Sequence, residues 1–156
     1  MVGEINLLIL DLDGVITDGC VFIDENGRES KKIYYHDIDA VTKIHKNDIY
    51  VAIITGESSK IVEKISKTFG INHVIKGCKD KLSALKSLSK ELKIPLSNIC
   101  FVGDSDHDEF AIEASGLGVC PQNATEKAKA VSDIILSKNG GNGAIYELVT
   151  KYLSIT

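Results

Sequence analysis

The chain has 156 residues, 44% of them apolar and 26% charged, the profile of one globular domain with enough apolar side chains for a core without disulfides. A formal net charge of −4, from 22 acidic against 18 basic side chains, supplies no field that would draw in nucleic acid or a membrane surface, so neither is expected as a partner. No apolar run approaches the roughly 20 residues of a membrane span, and Met1-Val2-Gly3-Glu4 has no basic segment before an apolar stretch; the expectation is a single cytoplasmic domain over 1–156.

Taken in chain order, Ile5–Leu10 is a nearly continuous apolar run ending in Asp11-Leu12-Asp13-Gly14, the pattern of a strand buried on both faces. Val21-Phe22-Ile23 and Ile33-Tyr34-Tyr35 flank Asp24-Glu25-Asn26-Gly27, where Asn-Gly supplies the positive φ of a turn; this predicts a β-hairpin over about 20–35. A helix is expected over Ile38–Lys46 and a buried strand at Tyr50–Ile54. Ser58 or Ser59 caps the next helix, whose apolar face is Ile61, Val62, Ile65 and Phe69 and which Gly70 ends. Val74-Ile75 reads as a short strand. Leu82, Leu85, Leu88 and Leu92 then form a helical stripe that Pro95 cannot continue.

Ile99–Val102 is a further buried strand, followed by a helix over Asp106–Ala114. Strand-sized pieces at Leu117–Val119 and Ile134–Leu136 enclose a lysine- and alanine-rich helix at Thr125–Ala130, and Ile145, Leu148, Val149 and Tyr152 mark the last helix. Apolar strands alternating with amphipathic helices predict a three-layer α/β/α, Rossmann-like fold with a mainly parallel central sheet. Of the four cysteines, no pair has the close spacing of a zinc knuckle or redox motif, and Cys100 and Cys120 sit in apolar runs as buried thiols.

Ligands of such sheets bind beyond the carboxyl ends of the strands, and that is where the polar residues collect. Asp11-Leu12-Asp13-Gly14 ends the first strand, Thr55-Gly56-Glu57 ends the one at Tyr50–Ile54, Gly103-Asp104 ends Ile99–Val102 with Asp106 and Asp108 just beyond, and Lys81 opens the leucine-striped helix. Carboxylates gathered in one crevice repel unless a cation or a shared proton relieves them. Oxygen-only ligands favour a hard ion such as Mg²⁺, which takes one or two carboxylates and keeps water and substrate phosphate as its other ligands.

The roles follow from this set. Asp11 can attack phosphorus and form an aspartyl-phosphate. Asp13 can protonate the leaving alkoxide and then deprotonate water. Lys81, the Thr55 hydroxyl and backbone N–H groups near Leu12, Asp13 and Gly56 can hold the phosphoryl oxygens. Thr17 and Asp18 either line the site entrance or shape the turn. A calcium loop at Asp11 is excluded, because its glycine falls too early and Phe22 stands where the closing glutamate belongs. Asp106 equally suits a helix N-cap, and Asp108 either supports the metal or favours the positive end of that helix.

Asp11-Leu12-Asp13-Gly14-Val15, Thr55, Lys81 and Gly103-Asp104 with Asp108 resemble, in order, the four motifs of the haloacid dehalogenase-like phosphatases. The longer stretches Asp11–Gly19, Asp80–Leu85 and Gly140-Gly141-Asn142-Gly143 are similar to the capless 3-deoxy-D-manno-octulosonate 8-phosphate phosphatases and their relatives acting on nonulosonate 9-phosphates. The resemblance implies Mg²⁺ held by Asp11, the Asp13 carbonyl and Asp104 with Asp108 in support, a phosphorylated 2-keto-3-deoxy sugar acid as substrate, a role in bacterial surface-glycan synthesis, and a homotetramer built by the hairpin. The gaps between Asp11, Thr55, Lys81 and Asp104 leave no room for an inserted cap domain.

Glu57 stands where the octulosonate enzymes usually carry arginine and looks more like the nine-carbon branch. Tyr146 replaces a second family arginine, and Asp37-Ile38-Asp39-Ala40 replaces a glycine-rich stretch. Arg28 is the only arginine in the chain. With so few guanidinium groups, Lys31, Lys32, Lys138 or Arg28 of a neighbouring subunit are the candidates to bind the substrate carboxylate, beside Glu57 and Thr17 at the entrance. Two other functions share parts of the pattern. A phosphoaspartate receiver would place its accepting aspartate on the third strand, where this chain has Lys76-Gly77-Cys78. A non-catalytic phosphatase-like module for tetramerisation or regulation in a sugar-activation pathway has no use for both Asp11 and Asp13.

Overall fold

The computed structural model describes residues 3–155; the part of the signal-sequence expectation that falls on Met1 and Val2 lies outside them. Six strands form the central sheet. β1 (Leu7–Leu10) opens the chain and, after a two-stranded hairpin of β2 (Phe22–Ile23) and β3 (Glu29–Ser30), the sheet continues with β4 (Tyr50–Ile54), β5 (His73–Ile75), β6 (Ile99–Val102), β7 (Leu117–Cys120) and β8 (Ile134–Ile135). The helices are α1 (Tyr35–Lys46), α2 (Lys60–Phe69), α3 (Lys81–Leu92), α4 (Glu109–Ala114), α5 (Glu126–Val131) and α6 (Ala144–Glu147). The strand order is β5-β4-β1-β6-β7-β8, and every neighbouring pair is parallel.

Strand alternation explains the three layers. Leu8, Leu10, Val51, Ile53, Cys100 and Val102 point to one face and meet Val41 and Ile44 of α1, Val62, Ile65 and Phe69 of α2, and Ile145 of α6. Leu7, Ile9, Ala52, Ile54, Ile99 and Phe101 point to the other and meet Leu85 and Leu88 of α3, Ala111 and Ile112 of α4, and Ala128 of α5. Both faces are therefore apolar, which is why these strands read as continuous apolar runs. Cys100 and Cys120 are buried, as expected, whereas Cys20 is exposed. Among the described residues no helix is long and apolar enough to cross a membrane.

Because β1 is flanked by β4 on one side and β6 on the other, the chain moves outward from it in both directions. The crevice at the carboxyl ends of β4, β1 and β6 is the topological switch point, the usual ligand position of this architecture. The sequence motifs end these three strands.

The hairpin departs from expectation. Its returning strand is Glu29–Ser30, paired as Phe22 with Ser30 and Ile23 with Glu29, and Tyr35 is already the first residue of α1. The Asp24 carboxylate accepts from the N–H groups of Asn26 and Arg28, and Gly27 takes φ +75°, so the turn closes tightly and pairing begins at once. At the other end the Tyr34 carbonyl accepts from the N–H of Asp37 and of Ile38, starting the helix where alternation had suggested strand.

Candidate active site

Asp11, Thr55 and Asp108 follow strand ends and are fixed by local hydrogen bonds, whereas Lys81 is brought in by the start of α3. Past β1, the N–H of Leu12 donates to Asp11 Oδ1 at 2.7 Å, and the turn Leu12–Ile16 is closed by the N–H of Thr17 on the Leu12 carbonyl at 3.0 Å. Gly14 sits in this turn at φ +82°, with its α-carbon against Asp104: a Cβ there would lie 1.9 Å from Asp104 Oδ2. The position needs glycine on both counts. Thr55 is buried past β4, its hydroxyl accepting from the N–H of Glu57 at 3.1 Å. Gly56 is exposed beside it on the cleft wall.

Beyond β6, Asp108 turns back under the strand end. Its Oδ2 accepts from the N–H of Asp104 (3.1 Å), the N–H of Ser105 (3.0 Å) and the Ser105 hydroxyl (2.9 Å). Ser105, not Asp106, caps this helix start, and Asp106 instead faces Lys127 at 3.4 Å. The serine–carboxylate pair three residues apart satisfies two donors reciprocally, which a cap at Asp106 would leave open. Lys81, at the start of α3, lies with Nζ 2.5 Å from Asp108 Oδ1 and 3.0 Å from Asp11 Oδ2.

Oxygen atoms of Asp11, Asp104 and Asp108 lie within 4.8 Å of one another. Burial, with the nearby Asp108 charge second, pushes Asp11 up to about 7 and Asp104 up to about 6. Burial pulls the Lys81 ammonium down, but Asp11 and Asp108 together hold it above the ordinary lysine value. One ammonium thus faces three close carboxylates, an oxygen-only set still short of positive charge. That donor chemistry fits a hard divalent cation. Asp108 carries three donors on Oδ2 and Lys81 on Oδ1, which fits a supporting position. Among the described residues each Asp11 oxygen meets a single donor, the Leu12 N–H or Lys81, and keeps a lone pair for an ion.

The cleft has a volume of about 910 Å³, and its wall includes Asp11, Asp13, Thr55, Gly56, Glu57, Lys81, Asp104 and the exposed His107. Glu57 does more than face it. Its Oε1 accepts from the N–H groups of Ser58 and Ser59, and its Oε2 from Lys31 Nζ at 3.1 Å. Neither serine hydroxyl caps α2: Ser59 holds the cap position without a side-chain bond, and the N–H of Val62 goes to the Ser59 carbonyl at 3.2 Å. The Ser59 N–H first and Lys31 second lower the Glu57 carboxyl to about 2.

Two further predicted positions are deployed differently. Thr17 is fully buried, its hydroxyl donating to Asp13 Oδ1 at 3.2 Å and accepting from the N–H of Gly19, so it braces the turn from below the cleft wall. Lys32 is half-exposed and reaches Asn142 (3.0 Å) and Asp18 (3.3 Å). Within its own chain Lys31 bonds Asp13 at 2.8 Å. Sequence reasoning missed the supports of the catalytic turn. Asn123 donates to the Gly14 carbonyl at 3.0 Å and accepts from the N–H of Gly140 at 2.7 Å, and buried Asp37 accepts from the N–H groups of Gly143 and Tyr146. The glycines of 140–143 were visible, and they are needed because a Cβ at Gly140 would fall 2.0 Å from the Gly14 carbonyl oxygen. Nothing in the sequence pointed from them to Asn123.

A family described as haloacid dehalogenase-like hydrolase matches residues 70–148. The 3-deoxy-D-manno-octulosonate 8-phosphate phosphatase of Escherichia coli K12 is 38% identical over 145 residues, 93% of this chain and 77% of the relative. The enzyme of the same name from Moraxella catarrhalis, solved with a magnesium ion, a phosphate ion and KDO, superimposes with a TM-score of 0.93 at 39% identity, covering 97% of this chain and 87% of that one. The cobalt-bound octulosonate 8-phosphate phosphatase of Haemophilus influenzae gives 0.91 at 30% identity, covering 97% and 89%.

The chain belongs to the 3-deoxy-D-manno-octulosonate 8-phosphate phosphatase family of the haloacid dehalogenase-like hydrolases.

As a member of that family it is a phosphatase, and the resemblance read from its motifs holds over nearly the whole chain. The all-parallel sheet and the protruding hairpin agree with the predicted fold.

Proposed function

We propose that this chain is a Mg²⁺-dependent phosphomonoesterase that hydrolyses 3-deoxy-D-manno-octulosonate 8-phosphate through an aspartyl-phosphate on Asp11. The observation that carries the reading is the meeting of Asp11, Asp104, Asp108 and Lys81 at the switch point, with Asp13 on the cleft wall. The Escherichia coli and Moraxella catarrhalis relatives support the substrate.

Asp11, Asp104 and the Asp13 carbonyl, with Asp108 in support, would hold Mg²⁺, which when bound offsets charge between nucleophile and phosphate and polarises the phosphoryl oxygens. Asp11 Oδ attacks phosphorus as the bond from phosphorus to the sugar oxygen breaks, and Asp13 delivers a proton to that oxygen. Water then attacks the phosphoryl group while Asp13 takes its proton, releasing phosphate and restoring Asp11. Lys81, the Thr55 hydroxyl and the N–H of Gly56 hold the phosphoryl oxygens, joined by the N–H of Leu12 when it leaves Asp11 Oδ1 as that oxygen turns to phosphorus.

A nine-carbon nonulosonate 9-phosphate is the second reading, favoured by Glu57 on the cleft wall in the position that resembles that branch. We read the chain as one cytoplasmic domain that assembles as a homotetramer through its hairpin, where Phe22 and Ile23 are 65% and 64% exposed. Phosphate release with Mg²⁺ from the octulosonate 8-phosphate and from two nonulosonate 9-phosphates tests the substrate. Preference for the eight-carbon sugar is expected. Preference for a nine-carbon sugar moves the enzyme to the other branch, and no metal-dependent release from any sugar or aryl phosphate leaves the non-catalytic assembly module.

A further inference from the structure

Lys31 lies just past β3, at the foot of the hairpin, and its side chain is only 5% exposed. Its Nζ sits 2.8 Å from both Asp13 carboxylate oxygens and 3.1 Å from Glu57 Oε2. The two ends of this bridge are not alike. Glu57 is fixed: its other oxygen holds the N–H groups of Ser58 and Ser59 at the head of α2, directly beyond β4. Asp13 is loosely held. Its side chain is 39% exposed, and among the described residues its carboxylate has, apart from Lys31, only the Thr17 hydroxyl at 3.2 Å.

We propose that Lys31 is a positioning residue, anchored by Glu57, that holds the Asp13 carboxylate in its catalytic orientation. This rests on the reading of Asp13 as the acid that serves the leaving oxygen. A carboxylate at the cleft mouth has water on one side and several rotamers open to it. An ammonium contacting both of its oxygens selects one, and the glutamate behind ties that choice to the rigid end of the sheet. A group aligned with the leaving oxygen acts far better than one that has to find it. Glu57, identified from sequence as a substrate contact, acts in this arrangement through Lys31.

The test exploits the leaving group. A sugar phosphate expels a strongly basic alkoxide and needs the proton from Asp13, whereas p-nitrophenyl phosphate expels a stable phenolate and hardly needs it. The parameter kcat/KM reports phosphoryl transfer to Asp11 even where the later hydrolysis limits turnover. With saturating Mg²⁺, Lys31→Met should lower kcat/KM on octulosonate 8-phosphate by about tenfold or more and on p-nitrophenyl phosphate by under about threefold. Lys31→Arg should restore most of the sugar activity, and adding Lys31→Met to Asp13→Asn should cost nothing further.

Equal losses on both substrates, no loss, or a full Lys31→Met loss in the Asp13→Asn background would overturn the assignment. Should Lys31→Met fold poorly, Glu57→Gln provides the second arm: it should give the same substrate selectivity at smaller amplitude, and a non-selective loss counts against the proposal. Asp13→Asn alone separates the two levels. If it lowers both substrates equally, the acid reading of Asp13 falls and the Lys31 role falls with it; if it is selective while Lys31→Met is not, only the Lys31 role is lost.

Discussion

Replacing Lys81 by methionine keeps most of the apolar stem and removes only the charge, so its cost measures what the ammonium does among the carboxylates. The Lys81 side chain is 5% exposed, and its partners Asp11 and Asp108 are 9% and 0% exposed. Deleting one member of such a buried group leaves charge that water cannot reach, and destabilises by about 3–5 kcal/mol. For a domain of this size each kcal/mol moves the midpoint by about 2–4 °C, so the loss without metal is about 6–20 °C. The deficit should be larger at pH 8 than at pH 5, because protonation of Asp11 and Asp104, whose carboxyls are raised to about 7 and about 6, removes the uncompensated charge. Urea melts in EDTA at the two pH values measure it. A cost below about 1 kcal/mol at pH 8 refutes the reasoning, since the carboxylates would then not depend on Lys81.

Two further outcomes follow from the same geometry. Gly14→Ala should add about 1–2 kcal/mol of left-handed backbone strain and displace the Asp104 carboxylate, lowering kcat/KM by about 100-fold or more; Gly19→Ala, at φ +80° but with no atom nearer than 3.5 Å, bears the strain without the collision and should retain most activity. Asp11 and Asp104 have folded-state values above the ordinary 3.8, so their contribution to stability is full below about pH 4 and is lost as pH rises towards 7. Mg²⁺ binds the ionised forms, so the rise in Tm on adding it should grow from pH 5 to pH 8; calorimetry showing a pH-independent rise would contradict this.

The strands and the residues at their ends were legible because both rest on local signals. β1, β4 and β6 are buried on both faces and read as unbroken apolar runs, and carboxylates or a hydroxyl directly after such runs are conspicuous. The hairpin was misread because Ile33, Tyr34 and Tyr35 are apolar in a row without being strand. Tyr35 is 83% exposed on the first turn of α1, so its apolar character carries no information about a sheet within this chain. The supports of the site were illegible for a different reason. Asn123 and Gly14, Asp37 and Gly143, and Lys31 and Asp13 are pairs distant in sequence, and a hydrogen bond between such residues leaves no local pattern. The cap at Ser105 was readable from its spacing to Asp108, but Asp106 offered a competing acceptor.

Covalent capture at Asp11 tests the central claim most directly. The enzyme, mixed with Mg²⁺ and sugar phosphate labelled in its phosphoryl group, is quenched in acid within one turnover and its peptides are analysed. The account predicts label on the peptide carrying Asp11, released by hydroxylamine as an acyl phosphate should be, and absent from Asp11→Asn, which turns over no substrate. Undiminished turnover in Asp11→Asn, or turnover with label on no peptide, would contradict it.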